Sequence, residues 1–373
     1  PENTSSIEAG FEAAFWDNRL CLDFTYYKTD SRNQILKLAT TAASGYTSQV
    51  RNAGHIRNRG YEIQLGAVPI QTSKGFRWNL DLNYGANSSK VVKLDDEGLI
   101  TSYRLYSSGI QILASVGEAY GTLFGTSYVR DANGNVVVDA NGLPKISTTN
   151  KTLGKFTPDW TGGISNTFSY RSLSLSFLID ASVGGSIFSN TNKTGKYTGV
   201  LANTLSGRDA EHGGLWYYTD AMGNNVRLPE SPSYSVSSDG LYYAQVNGQS
   251  TRVYQDGIMV EGVTESGSKN EEVVSAEKYY HRIYSIAEAN VYDASYVKLR
   301  EVALSYRLPR LWTQKLHLQE ASVTLTGRNL WTIYKSVPNI DPESALTTGN
   351  AQGVEAYSLP TTRSFGVNLS VKF

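Results

Sequence analysis

The sequence predicts an all-β chain, an antiparallel β-barrel that crosses a membrane on its strands. Nine segments alternate apolar and polar residues at period two, the connections between them run strictly short, long, short, long, and aromatic residues gather near both ends of the segments. Composition agrees. Tyrosine (25) and glycine (34) are abundant while methionine (2) and proline (10) are scarce, usage that suits many strands joined by polar loops. No run approaches the ~20 apolar residues of a membrane helix, and mean hydropathy is -0.33. A barrel tolerates this because half of each strand faces water.

Taken in order, Ile7, Ala9, Phe11, Ala13 and Phe15 share one face, Asp17 and Asn18 form a tight turn, and Leu20, Leu22, Phe24 and Tyr26 alternate again. Periodicity fails over about 29–55, a long loop, and returns at Tyr61, Ile63, Leu65 and Ala67. A short connection leads to Phe76, Trp78, Leu80, Leu82 and Tyr84, and a second long loop covers about 86–158. Trp160, Ile164, Phe168 and Tyr170 share a face with gaps at Gly162 and Asn166. A turn at Tyr170–Ser172 precedes Leu173, Leu175, Phe177, Ile179 and Ala181.

The longest irregular region is predicted at about 184–290. A compact soluble domain has no use for such a loop; a barrel with large external loops does. In the strand around 292–306 the phase changes between Leu299 and Val302, so a bulge is expected near Arg300 and Glu301. A connection with Pro309 follows. The next strand, Ala321 to Ile333, slips phase near Gly327 and Arg328. After a loop at about 334–360 the chain closes on TTRSFGVNLSVKF (Thr361 to Phe373), where Phe365, Val367, Leu369, Val371 and Phe373 form an apolar, lipid-facing row. That segment alone fits a soluble sandwich equally well. The loop asymmetry decides for the membrane.

Lysine plus arginine equals aspartate plus glutamate, 34 each, so no basic footprint points to nucleic acid. Cys21, the single cysteine, excludes an internal disulfide and reads as a small strand residue. Two DANG tetrapeptides, starting at Asp131 and Asp139, lack the glycine offset and closing glutamate of a calcium loop and read as Asn-Gly turns of a small hairpin. His55, His212, His281 and His317 stand apart, outside any hydrolase or metalloprotease motif. Asp209, Glu211 and His212 read as a solvated loop cluster. No catalytic residue, metal site or cofactor is expected, and the chain is not expected to be an enzyme.

Several junctions carry a family resemblance. NAGHIRNRGYEIQL from Asn52, VGEAYGTLFG from Val116, LGKFTPDWTGGISNTFSY from Leu153, DASYVKLREVALSYRLP from Asp293, GRNLWT from Gly327, NIDPE from Asn339 and LPTTRSFGVNLSVKF from Leu359 together resemble the C-terminal half of SusC/RagA-type TonB-dependent outer-membrane transporters of the Bacteroidetes. The resemblance touches nearly the whole of residues 1–373. It implies a roughly 22-stranded barrel with an N-terminal plug, driven by TonB across the periplasm and capped outside by a SusD-like lipoprotein. This chain then corresponds to the last nine or so strands, with the plug and earlier strands lying elsewhere. Strand-like sequence directly after Pro1, with no signal peptide, agrees with that expectation.

The implied function is multi-pass residence in the bacterial outer membrane and active uptake of a nutrient oligomer, an oligosaccharide ahead of an oligopeptide. A passive channel or structural barrel is the remaining alternative. Loop clusters place rings beside hydrogen-bonding groups, as sugar stacking requires: Trp216, Tyr217 and Tyr218; Tyr242 and Tyr243; Tyr279 and Tyr280. Rings packing the loops on one another or on the lipoprotein are the competing reading for each residue.

Overall fold

The computed structural model describes residues 1–39, 48–228, 232–315 and 317–373. Its main element is one sheet of nine strands in chain order. These are β1 (Asn3–Phe15), β2 (Leu20–Arg32), β3 (His55–Gln71), β4 (Phe76–Lys93), β5 (Trp160–Tyr170), β6 (Leu173–Val183), β7 (Tyr296–Arg307), β8 (Glu320–Lys335) and β9 (Ser364–Lys372). Each predicted segment is one of them, and every neighbouring pair is antiparallel. The sheet is open, with β1 and β9 at its edges, as a part of a barrel must be.

Register follows the alternation. Leu22 stands opposite Leu65, Leu65 opposite Leu82, Leu82 opposite Ile164, Ile164 opposite Ile179 and Ile179 opposite Leu299. A slip by one residue would turn a whole strand's apolar set to the other face, so this continuous row pins the pairing. Rings stack along it, Tyr84 on Trp160 at 5.4 Å and Trp78 on Phe168 at 5.6 Å between centroids. Asn166 is a buried polar residue in this face, and Trp78 Nε1 donates to its Oδ1 at 3.0 Å. The predicted bulge is present. Leu178 pairs with Glu301 while Ile179 pairs with Leu299, which leaves Arg300 as the extra residue; against β8, Asn329 and Leu330 are extra, and Asn329 takes a left-handed φ of 52°.

The short connections 16–19, 72–75, 171–172 and 308–319 lie at one end of the sheet, and the long ones, 33–54, 94–159, 184–295 and 336–363, at the other. The largest shifts from the expected loop limits arise because the second strand continues to Arg32, the fourth to Lys93, and the seventh starts only at Tyr296. Of the expected loops, residues 40–47 and 229–231 lie outside the described residues. The irregularity expected at 184–290 is corrected. That connection holds helix α1 (Asn190–Tyr197), a six-stranded sheet from Leu215–Thr219 to Val273–Ser275, and helix α2 (Ala276–Tyr284). The connection 94–159 likewise folds into a four-stranded sheet.

One turn chemistry builds much of this. At Thr72, Asp131, Asp139, Asp220, Ser237 and Thr264 the backbone N–H donates to the carbonyl four residues on, and a glycine at the fourth position, always at positive φ, donates back to the first carbonyl. Aspartate oxygens cap the loop from within: Asp131 Oδ1 accepts from the N–H groups of Asn133 and Asn135 at 2.9 and 2.8 Å, and Asp220 Oδ1 accepts from Met222 and Asn224 at 2.9 and 2.8 Å. This is a hairpin turn closed by a left-handed glycine. Both DANG tetrapeptides take it, as the hairpin reading requires.

Candidate functional site

The polar phase of the sheet lines a hollow of about 710 Å³, with Glu12, Asp23, Gln64, Asp81, Asn83 and Ser165 in its wall. Alternation alone gathers these side chains, because every second residue of β1 to β5 points there. Glu12 stands directly opposite Asp23, and none of Glu12, Asp23 or Asp81 forms an ion pair among the described residues. Like charges opposed across strands are unfavourable in a purely structural sheet. They suit a wall that meets water.

On the other phase the closing row is open: Phe365 is 80% exposed, Phe373 84%, and Val367 and Leu369 are exposed as well, while Val371 is partly covered. Ile7, Phe11, Leu175, Leu304 and Leu325 continue the exposed apolar surface across the sheet.

The predicted loop aromatics divide. Trp216, Tyr217 and Tyr280 are buried. Trp216 packs with Ala244 and Val253 and meets the rings of Tyr234 and Tyr242; Tyr217 stacks on Tyr254 at 5.2 Å and its hydroxyl donates to Asp256 at 3.0 Å. Burial, reinforced by the Asp256 charge, pushes the Tyr217 hydroxyl far up from its ordinary range. Tyr280 donates to the Asn203 carbonyl at 2.8 Å. These three rings offer no open face, so loop packing describes them. Tyr218, Tyr243 and Tyr279 are half-buried and Tyr242 is exposed. Tyr242 borders a groove of about 430 Å³ with Arg252, Tyr254, Asp256 and Glu211, and the Arg252 guanidinium lies over the Tyr254 ring at 4.8 Å. Tyr279 packs against Tyr280, away from that groove. His212 and Asp209 pair at 2.7 Å in the open, and no group of three metal-ligating side chains occurs among the described residues.

Sequence reasoning missed an ion cluster where the bulge meets the connection 336–363. Lys298, 3% exposed at its side chain, bonds Asp341 and Glu343 at 2.6 Å each. Arg300 bonds both oxygens of Asp180 at 2.8 Å and forks onto Glu343, and the Tyr296 hydroxyl donates to Glu343 at 2.9 Å. Burial pushes the Asp341 carboxyl up, but bonds from Lys298 and Thr361 and the Lys298 charge outweigh it and hold it at about 2. Glu343 is held below the carboxylate range in the same way, by Arg300 and Lys298 against the cost of burial. Two signals were legible: cations inside the strand VKLRE, and carboxylates in the NIDPE motif.

Fold and site define a section of a membrane-type β-barrel wall, one face polar and hollowed, the other apolar, with large loops gathered at one end. No family model matches the chain. It is 26% identical to TonB-dependent receptor P3 of Formosa agariphila over 401 residues and 24% identical to TonB-dependent receptor P26 of the same organism over 400, covering 100% of this chain and 34% of each relative. The chain thus spans about a third of the length of the curated relatives it matches. Among solved structures it is similar to the RagAB peptide transporter (TM-score 0.63, 18% identity, 100% of this chain and 35% of that one) and to the RagAB peptide importer in its closed-closed state (TM-score 0.62, 19% identity, with the same coverage). In sequence the chain is thus similar to about a third of two TonB-dependent receptors, and in fold it is similar to part of the RagAB transporter.

Proposed function

We propose that the chain forms part of the wall and outer loops of an outer-membrane transporter that imports a nutrient oligomer, driven by TonB and working with a SusD-like lipoprotein. The observation that carries this is the split of one sheet into a continuous apolar face and a hollowed polar face, with all long connections at one end. The apolar face then meets lipid, the polar face lines the conduit, and the connections 33–54, 94–159, 184–295 and 336–363 face outward. An oligosaccharide remains the first substrate class. Its support narrows to Tyr242 and Tyr254, whose rings border the loop groove, since Trp216, Tyr217 and Tyr280 are buried and the half-buried Tyr218, Tyr243 and Tyr279 do not line it.

An oligopeptide is the second reading. It is favoured by the charges of both signs in that groove, Arg252 against Glu211 and Asp256, and by the likeness to RagAB. The test is uptake by cells carrying or lacking the gene, supplied with fluorescent oligosaccharides and oligopeptides, with and without a protonophore. Gene- and energy-dependent uptake of one class supports import of that class. Uptake that persists under the protonophore would instead indicate a passive channel.

A further inference from the structure

The apolar face of β2 to β4 changes character toward the end that carries the long connections. Leu22, Phe24 and Tyr26 of β2 stand opposite Leu65, Ile63 and Tyr61 of β3. Tyr61 stacks on Tyr84, and Tyr84 on Trp160, with centroids at 6.0 and 5.4 Å, so a belt of rings crosses the face. Two residues further out, roughly 7 Å along the strands, the same phase turns basic. Lys28 stands directly opposite Arg59, and in the next row Arg57 stands directly opposite Lys90. Arg59 and Lys90 are exposed and Lys28 is half-buried.

Cations opposed across strands weaken a sheet, and the protein supplies little to offset them. Asp30 is the one carboxylate in this phase of β1 to β4, and it is engaged: it is buried, accepts from Arg57 Nε at 2.8 Å and pairs with His55. Beyond the rows, Asp96 pairs with Lys93, Glu97 lies 3.9 Å from Arg51, and Glu2 accepts from the Ile35 N–H at 3.0 Å. Lys28, Arg59 and Lys90 form no ion pair among the described residues. The patch is also local. At the same end of the face, β5 to β8 carry Trp160, Val183, Val297 and Tyr334 in this phase.

We propose that Lys28, Arg57, Arg59 and Lys90 form a binding site for the phosphate groups of a lipid in the outer leaflet, whose acyl chains lie on the apolar rows beneath. The inference rests on the outer-membrane orientation proposed above. Aromatic belts sit at headgroup level, so cations one row beyond the belt meet the charged part of a lipid while their stems lie along apolar surface. Phosphate oxygens accept several charge-assisted hydrogen bonds at once, and an anion between the rows removes the repulsion that the register imposes. A free anion would satisfy the cations equally but would leave the apolar rows unused. Continuity of the basic patch with the ringed and aliphatic face below therefore favours an anionic amphiphile.

The test titrates the full-length protein, stripped of lipid in detergent, with bisphosphorylated lipid A, with the same lipid after phosphatase treatment, and with inorganic phosphate, and native mass spectrometry counts bound lipid. Lys28→Gln/Arg59→Gln/Lys90→Gln removes three cations of the patch, and Lys74→Gln/Arg171→Gln/Lys315→Gln removes three at the opposite end. The wild type should prefer the phosphorylated lipid. The patch variant should lose on the order of 100-fold in affinity, about fivefold for each cation, and the control variant less than about twofold. Arg59→Gln alone should lose about fivefold, which keeps the test decisive if the triple variant does not fold. Lipid A should also raise the unfolding temperature of the wild type and not that of the patch variant. The site is overturned if the patch variant and Arg59→Gln bind as the wild type does, if the control variant loses as much, if phosphatase treatment changes nothing, or if inorganic phosphate displaces the lipid. A wild type that forms no heat-modifiable barrel would overturn the membrane reading itself, and the site with it.

Discussion

Asn166 shows how a single polar residue survives in an apolar face. It is buried, and its carbonyl oxygen is matched to the Trp78 indole. Asn166→Ala leaves that indole N–H without its partner, at an expected cost of about 1–3 kcal/mol. Trp78→Phe in the same background should restore part of the loss, read as the urea midpoint of the refolded barrel. Asp341 is the second informative residue. Its carboxyl is held at about 2 against an ordinary 3.8, so its contribution to the folded state is complete above the ordinary value and is lost as pH falls through about 2. Amide protection in 336–363, taken as exchange relative to the intrinsic rate at each pH, is expected to be high at about pH 5 and lower near pH 2, while protection in β2 to β4 changes less. Equal protection in 336–363 at both values would show that Asp341 does not hold this connection.

At the scale of elements, the recurrent glycine turns make a clean prediction. Gly134 and Gly223 sit at φ 88° and 87°, and a Cβ added at either would have nothing within 4 Å, so Gly→Ala there meets no clash and costs only the left-handed backbone, ~1–2 kcal/mol. The loss should appear as faster amide exchange in the local hairpin and leave the barrel's thermal transition in place. The same turns explain what could be read from sequence. All nine wall strands were legible because each sets large apolar residues against polar ones over nine residues or more, and Arg300 was legible as a bulge because the phase breaks around it. The loop strands escaped. Tyr234–Val236 and Asn225–Arg227 are three residues long with little apolar contrast, too short for a period to register. The ion cluster escaped for another reason, since Arg300 and Glu343 lie 43 positions apart and no local pattern joins them.

For the whole molecule the decisive question is which face meets lipid, and one strand can answer it. On β6, Leu175 points with Leu304 and Phe168 into the apolar face, and its neighbour Ser176 points to the polar one, opposite Thr167 and Ala303. The two positions are adjacent on one strand, between the same two neighbouring strands, and differ chiefly in facing. A charge against lipid costs ~2–4 kcal/mol at mid-depth and ~0–1 kcal/mol near the interfaces, whereas a charge on a water-filled conduit wall costs little. Leu175 lies two residues from the start of β6, so Leu175→Arg should cut the yield of heat-modifiable barrel and lower its folding stability by at most that amount, and Ser176→Arg should leave both near wild type while altering passage of charged solutes. Val367→Arg in the closing row, opposite Leu325, should behave like Leu175→Arg. If Ser176→Arg proves the more damaging of the neighbouring pair, the facing is inverted, and the hollow beside Asp81 and Asn83 is not the conduit.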